Sequence, residues 1–374
     1  MLSYWEKKHF FNYDLIVVGA GFVGLSTAIH FQQKHPKAKV VVLERGVLPT
    51  GASTKNAGFA CFGSLTEILD DLKSMTQDEV LDLVRRRYKG LEAIRKEFGD
   101  KGIGYKHTYG FELLDRALIS DLDQLEGVNS MLRVLFTQDV FSKVKKVAHF
   151  GFSPHIEAIV KNKFEGELDP GTYLDSLWKK AQKSGAKILT GITVEAIQDS
   201  QGLAIAKDGA GEKLEFSGQK IAVCTNAFSK KLLPELDLEP GRGLVLLSKP
   251  LEFEIPWKGT FHMDKGYVYF RQIDGRLLLG GARNLDFGGE RTLDFAVNEQ
   301  IRTHLQQLAN EVVFPGKSLE WEMQWTGIMA FGSSKTPLIQ PVGTKTAIAV
   351  RLGGMGVAVG YEVGRELSGI LGKM

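Results

Sequence analysis

Apolar residues along this chain recur with two periods. From Asp14 to Val18 they form a short run rich in Val and Ile, the mark of a strand buried on both faces. Glycines follow at once, and Val23 to about Lys34 reads as a helix that Pro36 stops. A second buried run, Lys39 to Glu44, completes a βαβ unit and predicts a parallel sheet covered by helices. Further on, Thr76-Gln77-Asp78-Glu79 is a capping-box sequence. Behind it Val80, Leu83, Val84, Tyr88, Leu91 and Ile94 share one helical face, which predicts a core-facing helix. Asp169-Pro170 opens another helix, with Leu174, Leu177, Trp178 and Ala181 at helical spacing and Trp178 expected in the core.

Short strands are then expected at Lys187 to Leu189, Thr193 to Gln198, Leu203 to Lys207, Lys213 to Phe216 and Lys220 to Cys224. Gly191, Gly202, Gly209, Gly211 and Gly218 mark turns between them, so the segment reads as an antiparallel meander. Strands dominate again from Gly243 to Arg283, and Asp294 to Val313 reads as a helix. No internal repeat or low-complexity tether separates these parts, which predicts domains interleaved in sequence.

A length of 374 residues suits about two domains, and 43% hydrophobic with 24% charged residues is ordinary globular composition. A net charge of +3, spread along the chain, leaves no footprint for nucleic acid. Cys61 and Cys224 are too few for a disulfide framework or a metal site, so no metal is expected. Met1 to Tyr13 carries Glu6, Lys7, Lys8 and His9 and lacks a signal-peptide core. No apolar run reaches the roughly 18 residues of a membrane span. A cytoplasmic protein without an integral membrane segment is expected.

The first motif with chemistry is Gly19-Ala20-Gly21-Phe22-Val23-Gly24. Alone the string is weak, but here a strand precedes it, a helix follows it, and an acid, Glu44, comes about 20 residues on. Gly19 permits the tight turn, Gly21 lets a phosphate approach the backbone, and Gly24 lets helix and strand pack closely. The helix N-terminus offers free N–H groups and partial positive charge to a pyrophosphate. Glu44 suits the hydroxyls of an adenosine ribose. The bland alternative is a glycine-rich turn in a plain α/β domain. The motif does not separate FAD from NAD.

Three further segments bear on that choice. They are Glu44-Arg45 followed by Gly51-Ala52-Ser53-Thr54-Lys55-Asn56-Ala57-Gly58; Tyr267 to Arg271 with Asp274 to Gly281; and Arg351-Leu352-Gly353-Gly354-Met355-Gly356-Val357 leading into a helix. With the N-terminal unit, and in this order, they resemble the D-amino acid oxidase-like family of flavoenzymes, nearest its glycine, sarcosine and gamma-glutamylputrescine oxidase branch. The resemblance runs from about Tyr13 to the C-terminus. It implies FAD as cofactor and an α/β fold: a Rossmann-like domain, parallel sheet with helices plus a meander, interleaved with an α+β substrate domain on a mixed or antiparallel sheet. The expected boundaries are 1–104, 166–232 and 336–374 for the FAD-binding domain, and 105–165 and 233–335 for the substrate domain.

Carried over by position, the resemblance places Ala52, Ser53, Asn56, Ala57 and Gly58 along the flavin. It places the backbone of Val194 at the adenine and Thr225-Asn226-Ala227 over the diphosphate. Gly353, Gly354, Met355, Gly356 and Val357 would cap the pyrimidine end of the ring, where a helix N-terminus stabilises the charge of the reduced flavin. A second flexible turn is the alternative for that loop.

On the substrate side, Tyr267 and Tyr269 alternate onto one face of a strand, where they either line a pocket or sit in the core. Arg283 either clamps a carboxylate or is a structural arginine. Cys61 and His262 read more simply as a small buried residue and a satisfied histidine. Two departures from the family stand out. Met329 occupies the position where glycine-oxidase-like members carry a carboxylate-binding arginine, and Leu277-Leu278-Leu279 lacks the lysine of sarcosine-oxidase-like members. The first favours a more apolar substrate or an amine; the second argues against rapid use of O2, so that the electron acceptor is O2 or another molecule.

The expected reaction is oxidation of a C–N bond in a small amine or amino acid by hydride transfer to FAD, giving an imine that is hydrolysed. Tyr269, Arg283 and Met329 are the pocket candidates. Three alternatives stand beside it: oxidation of a 2-hydroxy acid or polyol phosphate, with His262 as proton acceptor; a structural use of bound FAD; and a nicotinamide-dependent dehydrogenase.

Overall fold

The computed structural model describes residues 3–374; residues 1 and 2 of the charged N-terminal stretch lie outside it. The chain opens with α1 (Tyr4–Phe10), β1 (Asn12–Val18), α2 (Phe22–Lys34), β2 (Val40–Leu43), α3 (Ala52–Lys55), β3 (Phe59–Ala60), α4 (Leu65–Asp71) and α5 (Gln77–Gly102). It continues through β4 (Gly110–Asp115), α6 (Leu125–Leu132), β5 (Phe141–Lys143), β6 (Ile156–Asn162), β7 (Gly166–Glu167), α7 (Pro170–Lys183), β8 (Lys187–Leu189), β9 (Thr193–Gln198), β10 (Leu203–Lys207) and β11 (Lys213–Val223). The last part holds β12 (Glu239–Ser248), β13 (Thr260–Met263), β14 (Val268–Ile273), β15 (Arg276–Gly281), α8 (Glu299–Leu308), β16 (Trp321–Phe331), β17 (Leu338–Pro341), β18 (Thr346–Val350) and α9 (Gly356–Leu371).

Two large sheets carry the architecture. The first runs β17-β18-β11-β1-β2-β8, parallel from β18 to β8, with the β10–β9 hairpin added to β11. Both faces of β1 are buried. Leu15 and Val17 join a core under α2, α5, α7 and α9, while Ile16 and Val18 join a second core with Phe216, Ile328 and Val350. That double burial is why the strand reads as a continuous apolar run. The second sheet runs β16-β12-β15-β14-β13-β4-β6-β5 and is antiparallel except between β13 and β4. An aromatic core with Phe111, Trp257, Phe261 and Phe270 packs its outer face beneath α8. The other face turns toward the first sheet.

Several sequence expectations change in detail. The meander loses β8, which pairs with β2 in parallel. The two strands expected at 213–216 and 220–224 are one strand, β11, and Gly218 lies inside it rather than in a turn. There β11 leaves its antiparallel ladder with β10 and continues in parallel beside β1, and a Cβ on Gly218 would stand 2.9 Å from Ile16 Cδ1. Close approach, not turning, explains that glycine. The helix expected from Asp294 begins only at Glu299, because the Asn298 side chain caps the amides of Gln300 and Ile301. Tyr267 precedes β14, at the end of a turn in which Asp264 and Lys265 both take left-handed φ. Trp178 is partly buried, packed against the first core rather than inside it. The caps at Thr76 and Asp169 form as the sequence predicts.

The helix after β1 and the helix after β18 lie against each other. A Cβ on Gly364 of α9 would stand 2.5 Å from Ser26 Cβ of α2, and one on Gly360 would stand 3.1 Å from Phe22 Cβ. Substituting Gly364 by Val therefore pushes the two helices apart. We expect a loss of about 1–3 kcal/mol, measured by urea unfolding, with a matching loss of bound cofactor.

Candidate active site

A cavity of about 700 Å3 opens between the two sheets. Its size suits a large organic ligand, and its walls come from both chain ends. At one end stand Gly19, Gly21, Phe22 and Val23 from the β1–α2 turn, Glu44 and Arg45 after β2, and Thr193 and Val194 of β9. Each glycine of the turn has its own constraint. Gly19 takes φ +101° beside the Cys224 carbonyl, and a Cβ on Gly24 would fall on the Gly19 carbonyl oxygen. A Cβ on Gly21 would meet Ser53 Oγ at 2.9 Å. That hydroxyl accepts the Phe22 N–H at 3.0 Å, so α3 is tied to the N-terminus of α2.

Glu44 is buried. Its Oε2 accepts the Ala20 N–H at 2.9 Å and its Oε1 the Gly46 N–H at 3.1 Å, which fixes the carboxylate at the cavity wall. Arg45 stacks on Phe228 at 3.9 Å. Asn226 takes φ +47°, and its Oδ1 accepts the Arg351 N–H at 3.0 Å, which joins the turn after β11 to the loop after β18. In that loop Arg351, Gly353 and Gly354 all take left-handed φ. Gly353 to Val357 line the cavity, and α9 begins at Gly356, so its first amides point there without helical partners. Ala52, Ser53, Asn56 and Ala57 line the same wall.

Not every residue named from the sequence reaches the cavity. Ala20 and Ala227 are core residues, though Ala20 contributes its amide to Glu44. Gly24 serves helix packing. Gly58, at φ +72°, packs against the Leu168 carbonyl and the Arg271 guanidinium.

The other end of the cavity is the inner face of the second sheet. Here the strands carry glycines where side chains would fill the space, and each gap takes in a neighbour. Phe331 and Arg283 cover Gly241, Met329 covers Gly243, Tyr269 covers Gly280, and Lys55 crosses Gly327. Tyr267, Tyr269, Arg283, Met329, Cys61 and His262 all line the cavity. Burial pushes the Tyr269 hydroxyl up to about 12 and holds His262 down at about 4. Burial, then the nearby Glu165 and Glu67 charges, pushes the Cys61 thiol well up.

Arg283 stands out electrically. Its guanidinium lies 3.9 Å from the Phe331 ring centre and 5.0 Å from that of Phe287, yet among the described residues it has no ion pair and no hydrogen bond. Its position depends on a neighbouring arginine. Arg242 is buried and donates to both oxygens of the buried Glu290, at 3.0 and 2.7 Å, and to the Gly289 and Asp294 carbonyls. These bonds pin to β12 the loop that carries Arg283.

Sequence reasoning passed over several lining groups: Lys55, Glu67, Asp70, Arg87, Lys265, Phe331 and Lys335. The last cations are paired, Arg87 with Glu67, Lys265 with Asp70 and Lys335 with Asp71. It also passed over two buried acids, Glu112 and Glu165. The triplet Gly241-Arg242-Gly243 was the available signal for Arg242, since a charge between glycines in a strand calls for a buried partner.

Comparison with known proteins agrees with this geometry. A protein described as "probable oxidoreductase OrdL" from Haemophilus influenzae is 23% identical over 367 residues, covering 94% of this chain and 81% of its own. Glycine oxidase from Geobacillus kaustophilus superposes with a TM-score of 0.77 at 17% identity, covering 97% of this chain and 95% of its own. L-proline dehydrogenase from P. horikoshii gives 0.74 at 16%, with 97% and 94% covered. The family model for FAD-dependent oxidoreductases matches residues 14–370, and this chain therefore belongs to that family, with FAD as its cofactor.

Proposed function

We propose that this enzyme oxidises the C–N bond of a small amine that carries a carboxylate, and that Arg283 seats the carboxylate. The single observation that carries this reading is the unpaired guanidinium in the cavity wall. Arg283 is half-buried, its donors open to the cavity rather than to a protein partner, and a planar fork of donors matches a carboxylate. Both structural relatives named above are called after amino-acid substrates. Met329 leaves the usual position for such a clamp apolar, and Arg283 supplies the charge from the end of β15 instead.

FAD, when bound, takes up the hydride released from the carbon beside the amine nitrogen, and the resulting imine is hydrolysed by water. The chain's own part is positioning. The α2 N-terminus, beyond the Phe22 amide held by Ser53, would hold the diphosphate, and Glu44 would receive ribose hydroxyls. Val194 and the turn at Thr225 and Asn226 would border the adenosine half. Ala52 to Ala57 would follow the flavin, and the amides opening α9 would meet the pyrimidine end. Phe331, Tyr269 and Met329 fill the glycine gaps and exclude water from the reacting carbon. The division that goes with this reading assigns 1–104, 166–232 and 336–374, around the parallel sheet, to FAD, and 105–165 and 233–335, around the mostly antiparallel one, to the substrate. The acceptor that reoxidises the enzyme is O2 or another molecule, and the setting is the cytoplasm.

An anaerobic panel of glycine, N-methylglycine, L-proline and benzylamine, with 2-hydroxy acids beside them, tests the reading by bleaching of the flavin band. Bleaching by amines is expected; bleaching by hydroxy acids alone ends the proposal. Arg283→Gln should raise KM for a carboxylate-bearing amine about 10- to 100-fold, from a charged hydrogen bond of about 1.5–3 kcal/mol, and leave benzylamine unaffected. Glu290→Gln strands Arg242 without its counter-charge. We expect about 3–5 kcal/mol lost in urea unfolding.

A further inference from the structure

We propose that His262 and Glu165 form a proton-accepting pair that removes one proton from the ammonium group of the bound substrate before oxidation. The proposal rests on the amine reading above. An alkyl amine is protonated near neutral pH, and its nitrogen lone pair must be free for the neighbouring hydrogen to leave as hydride. One N–H bond therefore breaks first. Its electron pair stays on nitrogen, and the proton needs an acceptor in the cavity.

Few groups there qualify. Cys61 and Tyr269 are held as neutral donors by burial. Glu67 and Asp70 are engaged by Arg87 and Lys265. His262 remains. It lines the cavity, with the Phe59 ring edge against it, and it stands beside Tyr269 on β14 and Glu112 on β4 in the ladder of the sheet. Its Nε2 is sealed from solvent, has no hydrogen-bond partner among the described residues, and lies 3.8 Å from Glu165 Oε2.

Glu165 is set in a prepared place. Its Oε1 accepts the Phe62 and Gly63 N–H groups at 2.9 and 3.3 Å. Its Oε2 occupies the space that a side chain on Gly110 would take. The amides hold one oxygen and leave the other to the imidazole. Alone, His262 is too weak a base to strip an ammonium. Burial, opposed by the two amides, raises Glu165 to about 8, so the carboxylate supplies the basicity that the imidazole lacks. Glu112, also buried and raised to about 7, and Glu67 act on Glu165 in the same direction.

The test uses the FAD-loaded protein. In a pH titration followed by difference infrared spectroscopy, a protonated-carboxyl band should disappear as pH rises through about 8 and be missing in Glu165→Gln. A deprotonated pair is the active form, so the rate of anaerobic flavin reduction by the panel amines should climb over the same range. His262→Gln and Glu165→Gln should slow that step at pH 8 by about 100-fold or more, with an unchanged visible flavin spectrum. The deficit should shrink at pH values above the amine's own pKa, where the substrate arrives already neutral; a merely structural loss would not recover. Glu112 keeps its own carboxyl band, which titrates near 7; variants reduced at the wild-type rate, or a band titrating near 8 that persists in Glu165→Gln, overturn the pair. A wild-type flavin that no panel amine reduces overturns the amine reading instead.

Discussion

The contact between α2 and α9 is the constraint from which the site follows. These helices come from opposite ends of the chain, and each begins at a glycine-rich turn after a parallel strand. Gly360 and Gly364 let α9 lie directly on Phe22 and Ser26, while a Cβ on Gly90 of α5 would fall on the Ala358 carbonyl from the other side. Held between α2 and α5, α9 opens its first amides onto the same cavity as α2. Two helix N-termini thus face one cavity, each bringing partial positive charge to it. A coenzyme with a diphosphate in its middle and a charge-accepting ring at its end meets both needs along its length.

The second sheet makes room in a different way. A packed sheet face would leave no space for a substrate, since interiors are dense. Here Gly241, Gly243, Gly280 and Gly327 withdraw the side chains from one face, and aromatic, thioether and lysine side chains lie across the gaps. The cavity wall is therefore made by residues next to the missing positions. Tyr269 belongs to β14 but occupies space above β15, and Phe331 of β16 covers a residue of β12. The aromatic core on the opposite face keeps the sheet rigid beneath them.

What could be read in the sequence follows from this division. The cofactor end is legible because its rules are local: a turn needing φ beyond the reach of side chains, a helix that must touch its strand, an acid at fixed spacing. The parallel strands are legible because double burial leaves an unbroken apolar run. The substrate end is not local. Lys55, Lys265 and Lys335 line one cavity from separate segments, and no spacing along the chain links them. Gly218 misleads for a related reason. In sequence a glycine between two strand-like runs means a turn, and only the neighbouring Ile16 side chain shows that it means contact.

Arginine usage gives the sharpest view of how the fold commits its charges. Arg242 donates to Glu290 and to two carbonyls, and Arg351 to Asp237 and the Thr336 carbonyl, while Arg87 donates to Glu67 and the Phe62 carbonyl and keeps its Nε without a partner. Each of these three faces a carboxylate, because removing a charge from water without a counter-charge is costly. Arg283 is the contrast. Aromatic rings take the face of its guanidinium, which suits the weak hydration of that group, while its N–H donors are left over. Burial lowers its pKa, the direction expected of a cation that lacks compensation. The neighbouring Arg242–Glu290 pair supports the loop that holds it, so the stability of one arginine is used to hold the other unsatisfied. On the function proposed above, the carboxylate of the substrate would complete this site.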